Sequence, residues 1–279
     1  MDSKLSLWNY ILQFTDSPSI QTIARKYLSK KINDFNSIIQ SGGKTKKYSY
    51  MGYTFSLDIS RDGDMINVSI YTNEDNPIPC ATVLINDEHI GAMQTISFFP
   101  ECMNPPYPST TGGGSLILRF ILEIMRAKKH ELKIRQLTLQ DNSDKSCSHC
   151  KNNVNLSDMY FLIHGNTWYG KYGFRPCESE GLYDAYAKNQ EIINNAVTSD
   201  VPLYRYISTA VSENNLQNIN VISMKKYIDS RQDKSLMETL RTILIDYNKN
   251  CCLFTYIAPR ILHELNMQSF HRQLFYLNL

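Results

Sequence analysis

The chain has 279 residues, of which 42% are hydrophobic and 20% are charged, and its formal net charge is +2. This composition is typical of a globular protein that forms one domain with additions, or two domains. A charge this close to neutral does not provide the basic field of nucleic-acid-binding domains, so we do not expect nucleic acid as the main partner.

Two features of the sequence bear on the cellular compartment. The longest apolar run, residues 115–125, is interrupted by Arg119 and Glu123 and cannot span a bilayer. The first residues carry an early acid and lack the small-residue cleavage site of a signal peptide, and seven cysteines in such a chain are typical of reduced thiols. We therefore predict a cytoplasmic protein in a reducing compartment, without a membrane partner. The adjacent Cys251 and Cys252 are predicted to be buried as small apolar residues.

The amino-terminal part of the chain has the pattern of a helix. Ser17-Pro18 has the form of an N-cap followed by the proline favoured in the first turn, and apolar residues then recur at helical spacing. Gly42-Gly43 ends the pattern as a C-cap. Residues 1–47 are therefore predicted to be a helical segment that ends in a basic loop at residues 44–47.

The residues from Tyr48 onward have strand character. YTFSLDIS and MINVSIYT are joined by the Asp-Gly turn RDGD. CATVLI and IGAMQTISFF follow, with the short turn NDEH between them. The short connections predict four consecutive, mostly antiparallel strands at about residues 50–99.

A glycine-rich stretch, TTGGGSLILRF at residues 110–120, connects these strands to an amphipathic helix and then to a fifth strand in LKIRQLTLQD. This order predicts an α+β fold with a mixed sheet. The first N–H groups of a helix can bind an anion, so the glycines can form a phosphate site. The alternative is a loop whose glycines only fill turns.

The chain beyond residue 181 is predicted to be helical again. One helix begins near Leu182, and Ser235-Leu-Met-Glu238 has the form of a capping box that opens another. The last residues, RQLFYLNL, are predicted to form a final strand.

The segment GNTWYGKYGF at residues 165–174, together with the glycine stretch and the order of elements, resembles the GNAT superfamily of acetyl-CoA-dependent N-acetyltransferases. Residues 112–118 fall on the second half of that family's coenzyme loop, Q/R-x-x-G-x-G/A. Residues 168–174 fall on its LYEKxGF-like segment. The resemblance covers roughly residues 50–176. It departs from the family at Ser109, which stands at the Q/R position, and in an insertion at about residues 143–160.

The resemblance implies a GNAT-like central, mostly antiparallel sheet with flanking helices. We accordingly predict an acetyltransferase core at residues 48–180. Residues 1–47 and 181–279 are then helical additions, and the second of these can end in a strand of the core sheet.

The resemblance also implies a reaction, the direct transfer of acetyl from acetyl-CoA to an amine in a ternary complex. Tyr169 is implied to be the general acid that protonates the leaving thiolate. The family does not fix the general base, for which we name Glu101, with Glu88 and His89 as alternatives. The implied coenzyme-binding residues are those of the strand end and the glycine loop: Ser97, Phe98, Phe99, Thr111, Gly112, Gly113, Gly114 and Ser115.

Other interpretations stay open. A degenerate member of the family would retain the fold, lose coenzyme binding and act as a protein-interaction module, and Ser109 together with the insertions favours this. The acyl group can also be longer than acetyl. The sequence does not identify the acceptor amine or the oligomeric state.

The insertion contains Cys147, His149 and Cys150, which have the spacing of half a zinc site. A tetrahedral site needs a further ligand, for which His164 and Cys177 are the candidates, and no second C-x-x-C occurs. Zinc is therefore not expected, and the insertion is predicted to be a polar loop with reduced thiols.

Overall fold

The structure is a computed structural model. It describes residues 46–72, 79–96, 113–147, 152–178, 181–214, 216, 219–244 and 247–279. Within them the chain is α+β, with a mixed, mostly antiparallel sheet of eight strands, a separate two-stranded sheet and seven α-helices. The predicted α+β class is thus confirmed, whereas the predicted amino-terminal helix lies outside the described residues. The chain divides into two compact units, Met1–Thr138 with Asn278–Leu279, and Leu139–Leu277.

The first unit is an antiparallel meander followed by a helix and a parallel strand. Each of the first five strands pairs antiparallel with the next, and β5 then pairs parallel with β6. A parallel pair needs a crossover, which here includes a helix. The elements are β1 Lys46–Tyr50, β2 Tyr53–Asp62, β3 Met65–Tyr71, β4 Ala81–Ile85, β5 Ile90–Ile96, α1 Gly113–Ala127 and β6 Gln136–Gln140.

The predicted basic loop at residues 44–47 is wrong for its last two residues, because strand β1 begins at Lys46. Tyr50 pairs with Tyr53 across a two-residue turn in which Met51 has φ 52° and Gly52 has φ 82°. Two central residues with positive φ form the turn whose twist matches that of a hairpin. The predicted β2–β3 hairpin, the two strands after it, the helix after the glycines and the strand at β6 are confirmed.

Helix α1 supplies much of the apolar core of the first unit. Its Phe120 ring is stacked on Phe55 at a centroid distance of 4.3 Å, and the Tyr50 ring lies 5.5 Å from Phe120. Fully burying one such side chain contributes about 1.5–3 kcal/mol. The predicted amphipathic character of this helix is confirmed, since Ile117, Phe120, Ile121 and Ile124 are all buried, whereas Arg126 is exposed.

The second unit is mainly helical. Its elements are β7 Asp144–Ser146, β8 Asn153–Asn155, α2 Leu156–His164, β9 Arg175–Pro176, α3 Leu182–Asn195, α4 Leu203–Asn214, α5 Val221–Asp229, α6 Leu236–Ile243, α7 Tyr247–Glu264 and β10 Leu274–Asn278. β7 pairs antiparallel with β8, and β9 pairs antiparallel with β10. α4 packs against α5 and α7, and α2 packs against α6 and α7.

The outcome of the predictions for this part is mixed. The helix at Leu182 and the final strand are confirmed. The capping box is wrong: Ser235 is the N-cap of α6, but its side chain makes no capping hydrogen bond, and the Glu238 carboxylate instead pairs with Arg231 at 3.2 Å. The insertion is also more ordered than the predicted loop, because it contains β7, β8 and the start of α2. Among the described helices, none has both the length and the apolar character needed to cross a membrane.

Candidate functional site

Strand β5 carries a β-bulge close to its C-terminal end. Thr82 of β4 pairs with Thr95, and the next residue, Val83, pairs with Met93. Gln94 is therefore an extra residue on β5 that has no partner on β4. A bulge bends the strand and redirects its backbone groups, which is why bulges are frequent next to active sites. The Gln94 side chain is exposed.

The opposite edge of β5 is paired with β6 over a short length only. The parallel pairs run from Ile90↔Gln136 to Ala92↔Thr138, and no further pair between the two strands follows in the described residues, although β5 continues to Ile96. The last residues of β5 thus present a strand edge that β6 does not use. Such an edge can hydrogen-bond an extended ligand.

Helix α1 begins with two of the predicted coenzyme-binding glycines. Gly113 and Gly114 are its first residues, and Ser115 follows in the same turn. The first N–H groups of a helix have no acceptor within the helix, and the helix dipole makes this end positive. The first turn contains no acidic residue that would compete for these donors. The helix start is therefore suited to a phosphate group.

Most of the other predicted residues of this site lie outside the described residues, so the structure does not place them. Glu88 and His89, the alternative bases, are described and lie in the turn before β5. At about 3.3 Å per residue, the strand puts them roughly 23–26 Å from Ile96, which argues against either as a base at this end of β5. The residues that are not described are Ser97, Phe98, Phe99, Glu101, Thr111 and Gly112.

Tyr169 lies in the second unit, immediately before a 3₁₀ turn at Gly170–Tyr172. The Gly170 N–H donates to the Thr167 hydroxyl at 3.0 Å, and the turn ends at Gly173, whose φ is 96°. A left-handed backbone of this kind favours glycine. Phe174 follows and is completely buried. The WYGKYGF segment is therefore a turn closed by a required glycine and anchored by an aromatic ring.

Gly170 in the same turn is required for a different reason. A Cβ atom at this position would collide with the Asn166 side chain and with the Tyr186 hydroxyl. The Tyr186 hydroxyl donates a hydrogen bond to Asn166 Oδ1, and the Thr167 N–H donates to the same hydroxyl at 3.3 Å. This network holds the turn that carries Tyr169.

The Tyr169 phenol is kept in its protonated form. The side chain is 8% exposed, and its ring lies 4.7 Å from that of Trp168 and 6.1 Å from that of Phe174. Burial, and to a smaller extent the negative charge of Asp141, raises the pKa of Tyr169 far above its ordinary value. The hydroxyl therefore holds its proton at neutral pH, and it is a weaker acid than an exposed tyrosine.

Asp141 is a buried carboxylate that the sequence analysis missed. It follows β6 directly, and its Oδ1 accepts hydrogen bonds from the Ser143 N–H at 3.1 Å and from the Ser143 hydroxyl. Its Oδ2 has no hydrogen-bond partner in the described part of the chain. Burial raises the pKa of Asp141, and the bonds from Ser143 partly lower it. Its local sequence signal is an acid directly after an alternating strand, and this signal does not indicate that the carboxylate is buried.

A second buried carboxylate, Asp158 of α2, lies near Asp141. It accepts hydrogen bonds from the Ser269 hydroxyl at 2.8 Å and from Asn155 Nδ2 at 2.9 Å. Burial raises the pKa of Asp158, His271 lowers it, and the charge of Asp141 raises it further. The second unit thus contains two acids that resist ionisation, one of which acts electrostatically on Tyr169.

The predicted zinc candidates are only partly described, since His149 and Cys150 lie outside the described residues. Cys147 is described and is joined to Cys251 by a disulfide, which differs from the predicted reduced thiols. The reason is tertiary: α7 brings the Cα of Cys251 to 5.9 Å from that of Cys147, across a sequence separation of 104 residues. The predicted burial of Cys251 and Cys252 is confirmed.

Comparison of the chain with protein-family models, with curated proteins and with solved structures finds no match. The class that the described residues define is an α+β protein with a mixed, mostly antiparallel sheet. The resemblance to the GNAT superfamily consequently depends on the two motifs and on the local geometry around them.

Proposed function

We propose that this protein is an N-acetyltransferase that transfers an acetyl group from acetyl-CoA to an amine. The observation that carries the proposal is the geometry of strand β5. This strand has a bulge at Gln94, and its pairing with β6 ends after three residue pairs in the described part of the chain. The next described element along the chain is a helix that begins with glycines. The sequence resemblance implies a coenzyme site at this strand end and helix start.

The parts of coenzyme A match the groups available in the first unit. Its pantetheine arm contains amide groups, which can pair with the unused edge of β5 beyond Ala92. Its pyrophosphate fits the start of α1, where Gly113 and Gly114 present backbone N–H groups without side chains in the way. Ser109 replaces the Q/R of the family, so in our proposal backbone donors carry more of the phosphate binding.

The chemistry is a direct attack in a ternary complex. The deprotonated amine attacks the thioester carbonyl, and a backbone N–H on β5 stabilises the oxyanion that forms. The C–S bond then breaks, and the thiolate takes a proton from the Tyr169 hydroxyl. Glu101 remains our candidate for the base that deprotonates the amine.

Coenzyme binding is the first test. A ligand present at a hundred times its dissociation constant stabilises the folded protein by about 2.7 kcal/mol, so coenzyme A should raise the melting temperature. Gly114→Ala should weaken this effect, because a methyl group would stand where the phosphate approaches the helix. Absence of any shift at millimolar coenzyme A would rule out the enzyme.

Turnover tests the role of Tyr169. General acid catalysis typically contributes about 10²–10⁴-fold, so Tyr169→Phe should lower the rate of acetyl transfer by a factor in this range while leaving the coenzyme-induced shift intact. Tyr172→Phe removes a hydroxyl from the same turn and is the matched control. If Tyr169→Phe abolishes the shift as well, the residue is structural. Labelled acetyl-CoA with a panel of amines identifies the acceptor.

The second candidate function is that of a degenerate GNAT-fold protein that acts as an interaction module. Ser109 at the Q/R position and the insertion at about residues 143–160 favour it. This candidate predicts a folded protein whose melting temperature does not respond to coenzyme A. The binding test therefore separates the two functions.

A further inference from the structure

Three cysteine sulfur atoms meet in the interior of the second unit. Cys147 follows β7, and Cys251 and Cys252 are adjacent residues near the start of α7. The Sγ atoms all lie within 4.8 Å of one another, and those of Cys147 and Cys252 are 3.1 Å apart. The three residues are 1%, 1% and 2% exposed. We call them the cysteine cluster.

The surrounding backbone holds the two sides of the cysteine cluster in place. The Cys147 N–H donates to the Asn152 carbonyl at 2.9 Å, next to the last residue pair of β7 and β8. The Asn152 side chain in turn donates to the Tyr256 hydroxyl of α7 at 2.8 Å. The β7–β8 hairpin is thus tied to the same helix that carries Cys251 and Cys252.

One disulfide joins two sulfurs, whereas three sulfurs meet here. Cys147 is bonded to Cys251, and the Sγ of Cys147 also lies 3.1 Å from that of Cys252. A Zn²⁺ ion binds thiolates at about 2.3 Å, so ligating sulfurs in a tetrahedral site lie about 3.8 Å apart. Three sulfurs within 4.8 Å of one another can reach this geometry with small movements. A metal ion would therefore use all three sulfurs.

We propose that the reduced protein binds one Zn²⁺ ion through the thiolates of Cys147, Cys251 and Cys252. Each thiol gives up its proton on binding, and no electron is transferred. The three thiolates supply three of the four positions of a tetrahedral ion, which leaves one position for a further ligand. The bound ion would link the β7–β8 hairpin to α7. In the sequence, Cys147 also opens the C-x-x-C pair with Cys150, a spacing common among zinc ligands. This proposal is independent of acetyl transfer.

The experiment compares metal binding by the full chain and two variants, all purified in a non-chelating reductant. Cys252→Ser removes one of the three cluster sulfurs. Cys80→Ser removes a buried cysteine of the first unit, outside the cluster, and is the matched control. Zinc is measured by elemental analysis. The zinc-depleted proteins are then titrated with Co²⁺, whose thiolate complexes give sulfur-to-metal charge-transfer absorption.

We expect about one zinc per chain in the unmodified protein and in Cys80→Ser, with strong thiolate–cobalt absorption. For Cys252→Ser we expect a loss of at least tenfold in metal affinity. Unchanged metal binding by Cys252→Ser would overturn the proposal. If Cys252→Ser does not fold, the zinc content and the cobalt absorption of the unmodified protein test the proposal. A preparation without zinc or thiolate–cobalt absorption would also overturn it, both where peptide mapping after denaturing alkylation finds the three cysteines reduced and where it finds Cys147 still linked to Cys251 in the presence of the reductant. In either state the cluster does not serve as a metal site.

Discussion

The two units differ in the polar groups that they bury. In the described part of the first unit, the buried polar residues are Ser56, Ser69 and Lys128, and its core is formed by α1 and the meander. The second unit buries two carboxylates and the cysteine cluster. It also buries several hydroxyl and amide groups, those of Ser157, Thr167, Asn189, Thr198 and Thr239.

This difference indicates which unit should respond to pH, to oxidation and to metal ions. Apolar burial in the first unit does not depend on protonation, so its contribution to stability should change little with pH. A buried carboxyl group destabilises the fold when it ionises, and buried sulfurs respond to oxidation and to metals. We therefore expect the effects of pH and metal to be concentrated in the second unit.

The largest expected effect is the loss of the central aromatic residue of the first unit. Phe120→Ala should lower the free energy of unfolding by about 3–5 kcal/mol, because it removes a completely packed ring that stacks on Phe55. Urea denaturation at two pH values measures this, and the loss should be the same at both. Met65→Ala, at a side chain that is 41% exposed, should change the stability by less than about 0.5 kcal/mol. A loss below about 1 kcal/mol for Phe120→Ala would contradict this account of the core.

A smaller effect is expected at Gly173 in the turn after Tyr169. Because its φ is 96°, Gly173→Ala should cost about 1–2 kcal/mol of stability, measured by thermal or urea unfolding. Gly114→Ala is the matched change in the first unit. Gly114 is helical, so alanine there should stabilise by about 0.5–1 kcal/mol. If both variants lost the same amount of stability, the predicted difference between the left-handed Gly173 and the helical Gly114 would be wrong.

The smallest and most selective effect concerns the pH dependence of stability. Burial raises the pKa of Asp141, so its favourable contribution is complete below the ordinary pKa of aspartate and is lost as the pH rises through the folded-state pKa. Asp141→Asn stays neutral and should gain stability relative to the unmodified protein between acid and neutral pH. Urea unfolding across this range measures the difference. Asp144→Asn, at an exposed position, is the control, and parallel curves for Asp141→Asn and the unmodified protein would refute the prediction.

The sequence predicted the elements whose signal is local. The β2–β3 hairpin followed from an Asp-Gly turn, and α1 followed from helical spacing after the glycines. Strand β1 was missed, because two lysines and an alternation of only two tyrosines are a weak strand signal. The capping box at Ser235 was wrong, because Arg231 binds the Glu238 carboxylate that the box requires.

The parts of the candidate site that form contiguous motifs could also be predicted from the sequence. The glycines at the start of α1 and the turn at Tyr169 are contiguous motifs, and their sequences contain the residues that their backbones require. The bulge at Gln94 was not predictable, because it is defined by the register of β5 against β4. The buried Asp141 was missed because burial depends on which residues surround a side chain, and these are remote in sequence.

By itself, the sequence determined the α+β class, the order of the main strands and helices, and the two glycine motifs, since periodicity, turn chemistry and glycine placement act over a few residues. Only the tertiary structure decided that β5 leaves β6 early, that Asp141 is buried close enough to Tyr169 to raise the pKa of its phenol, and that Cys147 meets Cys251 and Cys252. These features come from residues up to 105 positions apart that packing brings together. No local pattern specifies such contacts, because they depend on how the whole chain fills its core.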